Sequence, residues 1–178
     1  MVRAIAFLAI AAILAACTTM SEDPRSRTPG KVMDDQGLEW EVAKDIRGSD
    51  PGFESSNITV VSYNGIVLLA GQVATEALKQ MAGERAKAFE TVRAVHNELE
   101  VLAPLSMVAR ANDTWLTTKV KTQMLAEAEI VAGKIKVVTV NGVVFLMGML
   151  PREEADRAVE IARSIYGVQK IVKVFEYL

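Results

Sequence analysis

One segment occurs twice, and that constrains the fold more than any other feature. "ITVVSYNGIVLLAGQV" (58–73) matches "IKVVTVNGVVFLMGML" (135–150) without a gap, 77 residues apart. Internal self-similarity at a fixed spacing means two copies of one supersecondary unit. Each copy is a pair of β-rich runs joined by Asn-Gly, the dipeptide best suited to a type I′ turn because both central residues need φ > 0. Asn64-Gly65 and Asn141-Gly142 are therefore expected to close two hairpins. Each copy also places a glycine late in its second run, Gly71 and Gly148, where a sharp turn or the close approach of a helix is expected.

The flanking segments extend the repeat. An amphipathic helix is expected before each hairpin, near 38–48 and 114–128, and a longer one after it, near 75–91 and 152–165. Thr75 fits an N-cap and Pro151 a first turn. "AVHNELEVL" and "KIVKVFEYL" then read as closing strands. The order is α-β-β-α-β, twice. A helix between the second and third strands implies a parallel crossover. The expected fold class is α+β: two tandem units, 37–103 and 112–178, each a small three-stranded mixed sheet covered by two helices. Units of this size have modest cores, and the short, half-apolar connection 103–112 favours stacking over free tumbling. With 51% apolar and 24% charged residues, the chain has the composition of an ordered protein.

The beginning of the chain reads differently. In "MVRAIAFLAIAAILAAC", Arg3 supplies a positive start and Ala4 to Ala16 an apolar run too short to span a bilayer. The run ends "LAAC", which resembles the bacterial lipobox, with Cys17 as the acylated residue. Cys17 is the only cysteine, so no intramolecular disulfide is possible. A plain secretory signal with an incidental Cys is the alternative. Residues 1–16 are thus expected to be a lipoprotein signal peptide, and 17–36 the acylated Cys and a flexible, polar tether. Two or three acyl chains, as lipoproteins of this kind carry, anchor stably where one does not.

Trp115 opens the question of function. On a wheel of about 100° per residue, Leu116, Val120 and Met124 form the core stripe. Trp115, Lys119, Thr122 and Ala126 cluster on an outward face, with Lys121 on another exposed side. Trp suits the boundary between water and lipid, and nearby lysines attract anionic head groups. Burial of Trp115 between the two units is the competing expectation. Trp40 in the first unit also points outward, but Glu39, Glu41 and Asp45 stand around it. Residues 38–102 hold six basic and ten acidic residues, a balance of −4; residues 112–178 hold nine and eight, a balance of +1. The second unit is the better match for an anionic surface. A net charge of −2 gives no sign of nucleic-acid affinity. No constellation of catalytic side chains, phosphate loop or metal spacing is visible, and His96, the sole histidine, falls in a strand. Neither an enzyme nor a cofactor is expected.

Two αββαβ units with an Asn-Gly hairpin and a following glycine, behind a lipobox, resemble the BON-domain family. "NDTW" (112–115), "TTKV" (117–120) and "NGVVFLMG" (141–148) are similar to the two-domain outer-membrane lipoproteins of that family. The resemblance covers nearly all of the chain beyond the tether. It implies a lipid-anchored protein on the periplasmic face of the outer membrane, with Thr18 rather than Asp after Cys17 permitting export there. It also implies binding of anionic phospholipid, phosphatidylglycerol or cardiolipin, through the first helix of the second unit. The residues concerned would be Trp115, Thr118, Lys119, Lys121, Thr122 and Leu125. A role in outer-membrane integrity, with a link to the division site, follows from the same likeness. The alternative is an envelope scaffold that binds division factors or the outer-membrane protein assembly machinery, with lipidation only as its anchor.

Overall fold

The computed structural model describes residues 26–178. The signal segment, Cys17 and the first part of the tether lie outside the described residues. The elements are α1 (Pro29–Ser49), β1 (Asn57–Tyr63), β2 (Ile66–Val73), α2 (Glu76–Lys87) and β3 (Ala94–Val101), then α3 (Met107–Leu125), β4 (Lys136–Val140), β5 (Val143–Leu150), α4 (Arg152–Ser164) and β6 (Lys170–Tyr177). The expected α-β-β-α-β order is present twice. Each sheet is three-stranded, with the hairpin antiparallel and the third strand parallel to the second: β1-β2-β3 and β4-β5-β6.

Both Asn-Gly pairs make the expected turns. Asn64 and Gly65 have φ of 54° and 74°, and Asn141 and Gly142 have 52° and 72°. The strand glycines serve neither a turn nor a helix. A Cβ on Gly71 would stand 1.9 Å from the Asn57 carbonyl oxygen, and one on Gly148 2.8 Å from that of Lys134. They let the second strand pass close to the backbone that enters the first.

The first helix of each unit starts earlier than the apolar period suggests. α1 begins at Pro29, so residues 29–36, read as tether, are helical. The Thr28 hydroxyl accepts from the Lys31 amide, and Pro29 costs nothing at a position whose N–H has no helical partner. α3 begins at Met107, capped by Ser106, which shortens the connection read as 103–112. One reason underlies both differences. The inward stripe of α1 is Asp35, Leu38, Val42 and Ile46, and that of α3 is Asp113, Leu116, Val120 and Met124. Each stripe opens with a buried aspartate, where a search for apolar spacing finds nothing.

These aspartates tie helix to hairpin. The Asn141 and Gly142 amides donate to the two carboxylate oxygens of Asp113, each at 2.8 Å. The Asn64 and Gly65 amides donate to Asp35 in the same way, at 2.9 Å each. Asp35 also accepts from the Ser62 hydroxyl and the Arg27 guanidinium, both at 2.8 Å. Burial alone would push the Asp35 carboxyl up. The hydrogen bonds from Gly65, Arg27, Asn64 and Ser62 outweigh it and hold the group below its ordinary value. Hydrogen bonding of this kind satisfies the turn amides, which cannot pair within a two-residue hairpin loop.

The two units stack sheet against sheet, helices outermost. Leu38, Val42 and Ile46 of α1 and Ala82 of α2 pack on Val67, Leu69 and Leu99. Val120 and Met124 of α3 and Ala158 of α4 pack on Val137, Val144 and Leu146. The opposite sheet faces meet in a third cluster of Val61, Tyr63, Leu68, Ala70, Phe145, Met147 and Val174. Polar contacts around it follow an approximate two-fold. Asn64 donates to Glu176 at 3.0 Å and Asn141 to Glu100 at 3.1 Å, so each turn asparagine reaches the last strand of the other unit. Arg93 pairs with Glu176 at 2.6 Å, and Lys136 with Glu39. The stacking expected from small cores therefore uses the second face of each sheet, and both cores become closed.

Candidate functional site

Packing of the sheets on each other fixes what each helix can show to the outside. α3 lies on the outer face of the second sheet, with Leu116, Val120 and Met124 turned in. The cluster between the units is built from strands alone. Trp115 is 47% exposed, so the competing expectation of a Trp buried between the units is overturned. The Lys119 ammonium sits 4.4 Å from the centre of the Trp115 ring, one turn along. Such a pairing keeps the cation near the apolar body without burying either in protein.

Thr118, Lys119, Lys121, Thr122 and Leu125 are all exposed. The Thr118 hydroxyl donates back to the Thr114 carbonyl at 2.9 Å. Lys121 lies on a flank with Arg110, Thr114 and Thr117, along a groove against β4. It does not share the face of Trp115 and Lys119. Leu125 is 74% exposed at the C-terminal end.

The early helix start adds two residues that the sequence reading missed. Met107 and Val108 are 81% and 80% exposed. Val108 lies two turns before Trp115 and within about 20° of it on the wheel. The apolar stripe Met107, Val108, Trp115 and Leu125 thus runs about 27 Å along the helix, the length given by its rise per residue. Taking Ser106 as the N-cap would have revealed it. The basic residues of α3 are Arg110, Lys119 and Lys121; its one acid, Asp113, is buried in the hairpin clamp.

α1 offers a comparison within the same chain. Trp40 is 64% exposed, with the Lys44 ammonium 4.9 Å from its ring centre. The sequence suggested a ring of three acids around it. Two of them are engaged elsewhere: Glu39 accepts from the Ser62 amide and Lys136, and Asp45 is paired with Arg85 at 2.6 Å. Asp34 and Glu41 remain exposed on α1, whereas α3 exposes no acid. The contrast in charge holds, with a smaller margin than the sequence implied.

Among the described residues no group of three His, Cys, Asp or Glu side chains is placed to hold a metal ion, and no helix is long and apolar enough to cross a membrane.

The BON domain family matches this chain twice, over residues 34–103 and 112–178. The outer membrane lipoprotein DolP of Haemophilus influenzae is 39% identical over 164 residues, 92% of this chain and 84% of that protein. The 21 kDa hemolysin of Actinobacillus pleuropneumoniae is 39% identical over 160 residues, covering 90% and 81%. The osmotically-inducible protein Y of Escherichia coli is 31% identical over 145 residues, covering 80% and 72%. With two repeats of the family's fold and this likeness along its length, the chain belongs to the BON-domain family, as a lipid-anchored protein of the outer membrane.

Proposed function

We propose that this protein binds anionic phospholipid, phosphatidylglycerol or cardiolipin, through the outer face of α3, without catalysing a reaction, and thereby supports outer-membrane integrity at the division site. The observation that carries the reading is the α3 face itself. Trp115 stands half out of the protein with Lys119 over its ring, between exposed Met107, Val108 and Leu125, on a helix that exposes no acid. A helix with an apolar stripe and a basic margin lies along the head-group boundary rather than across the membrane. Each basic side chain near an anionic surface contributes about 1 kcal/mol.

The anchor is compatible with this orientation. Acylation is assigned to Cys17, and Cys17 is twelve residues before Pro29. Such a length of chain spans at most about 42 Å. Four stacked layers at about 10 Å spacing put α1 and α3 roughly 30 Å apart. The tether can therefore reach a membrane that α3 touches, even from the far side of the molecule.

The test is co-sedimentation of residues 26–178 with vesicles, across lipid composition and salt. Binding to vesicles rich in phosphatidylglycerol or cardiolipin, weak binding to phosphatidylcholine, and loss of binding at high salt are expected. Equal binding to neutral and anionic vesicles, or none to either, would remove the reading and leave the envelope-scaffold alternative.

A further inference from the structure

Tyr166 is 91% exposed, the most exposed of the large apolar and aromatic side chains among the described residues. It sits in the turn between α4 and β6. The Val168 amide donates to the Ile165 carbonyl at 3.2 Å, closing a four-residue turn with Tyr166 and Gly167 at its centre. Gly167, with φ of 99°, takes the third position, where left-handed backbone favours glycine. The turn packs against the inward side of α3: a Cβ on Gly167 would stand 3.2 Å from Cδ2 of the buried Leu116.

The first unit shows which residue its own copy of this turn carries. There the Val92 amide donates to the Phe89 carbonyl at 3.0 Å, and the Arg93 amide to Gly65 at 2.8 Å. In the second unit the Gln169 amide donates to Gly142 at 2.9 Å. These paired bonds put Tyr166 where the first unit has Glu90. Ile165 and Phe89 are both half-buried, so the inward residue is apolar in each and only the tip differs. In the second unit Arg163 and Lys170, both exposed, flank the tip, and no acid falls between them.

We propose that the α4–β6 turn is a second membrane contact, in which Tyr166 inserts at the head-group level of an anionic lipid surface. The inference rests on the proposed lipid reading of α3 and extends it to a different element. A phenol has an apolar body and a polar tip and settles at the head-group boundary, as an indole does. Arg163 and Lys170 supply the charge complementary to anionic lipid. Two contacts on separate elements fix the rotation of the domain about the α3 axis, which a single helix stripe does not.

Single-tryptophan versions of the intact lipoprotein test this, reconstituted in phosphatidylglycerol-containing vesicles with brominated acyl chains. In a Trp40→Phe, Trp115→Phe background, Tyr166→Trp should give a blue-shifted emission that bromine quenches, and Glu90→Trp should not. Trp40→Phe alone leaves Trp115 as the reporter for α3. If Trp115 is quenched and the Tyr166→Trp reporter is not, the second contact is overturned while the α3 reading stands. If neither is quenched, both fall. Tyr166→Glu should also weaken vesicle binding of the non-acylated Cys17→Ser chain several-fold, with Tyr166→Phe unchanged. Equal binding by all three would contradict the proposal.

Discussion

Asp113→Ala should destabilise the protein far more than an exposed substitution on α3. The carboxylate accepts two backbone N–H groups, from Asn141 and Gly142, and is 6% exposed. A hydrogen bond to a charged group contributes roughly 1.5–3 kcal/mol, and a buried donor left without a partner costs its desolvation as well. Water can reach the Asn141 amide, which offsets part of the loss; the Gly142 bond is buried. The expected change is about 3–5 kcal/mol. For a cooperative unit of about 150 residues this lowers Tm by roughly 10–16 °C. Asp113→Asn keeps one acceptor oxygen and turns an amide donor toward the other N–H, so it should fall in between. Thermal unfolding by circular dichroism measures all three. A Tm within about 2 °C of the parent for Asp113→Ala, on that same entropy scale, would show that the clamp does not hold the hairpin.

Acid should act through Asp35 and Glu176. The Arg93 guanidinium holds the Glu176 carboxyl below its ordinary value, as the Gly65 amide and its companions do for Asp35. Groups with depressed folded values contribute stability above the ordinary carboxylate range and lose it as pH falls through the folded value. The urea midpoint should therefore drop below about pH 4, and Asp35→Asn should flatten that dependence. Gly142→Val should cost about 1–3 kcal/mol, since a β-branched residue resists the required positive φ and its Cβ would meet the Gln169 side chain at 2.8 Å. Cys17→Ser should remove acylation and shift the protein from the outer-membrane fraction to the soluble periplasm; unchanged fractionation would mean that the assigned anchor is wrong or that the second unit's own lipid affinity suffices, and a Cys17→Ser, Trp115→Glu double variant separates the two.

The sequence made the architecture legible because the hairpin is written twice in side chains that force it. Asn-Gly dictates the turn, and the Leu116–Val120–Met124 spacing dictates the inward face of α3. The helix starts were not legible, because polar residues do the inward work there. Asp35 and Asp113 are buried against backbone amides, and a hydrophobicity pattern scores them as surface. Met107 and Val108 were lost with the first turns of α3. The direction of Trp115 could be read from local periodicity. Its freedom from the inter-unit contact could not, since that depended on which sheet faces meet. The pairing of two acids near Trp40 with distant basic residues was hidden because it depends on tertiary packing, between α1 and α2 for Asp45 and between the units for Glu39. Arg85 and Lys136 reach Asp45 and Glu39 from 40 and 97 residues away in sequence.

The central claim is that the second unit meets anionic lipid through Trp115. Vesicle binding of Trp115→Glu, beside Trp40→Glu, tests it most directly, with residues 26–178 and phosphatidylglycerol-rich vesicles. Trp115 lies off the Leu116–Val120–Met124 core stripe and is half-exposed, so both variants should keep the parent's far-ultraviolet spectrum and Tm within a few degrees. Trp115→Glu should lose most of its vesicle binding, and Lys119→Glu a smaller share, while Trp40→Glu binds as the parent does. A folded Trp115→Glu variant that binds as tightly as the parent would contradict the account.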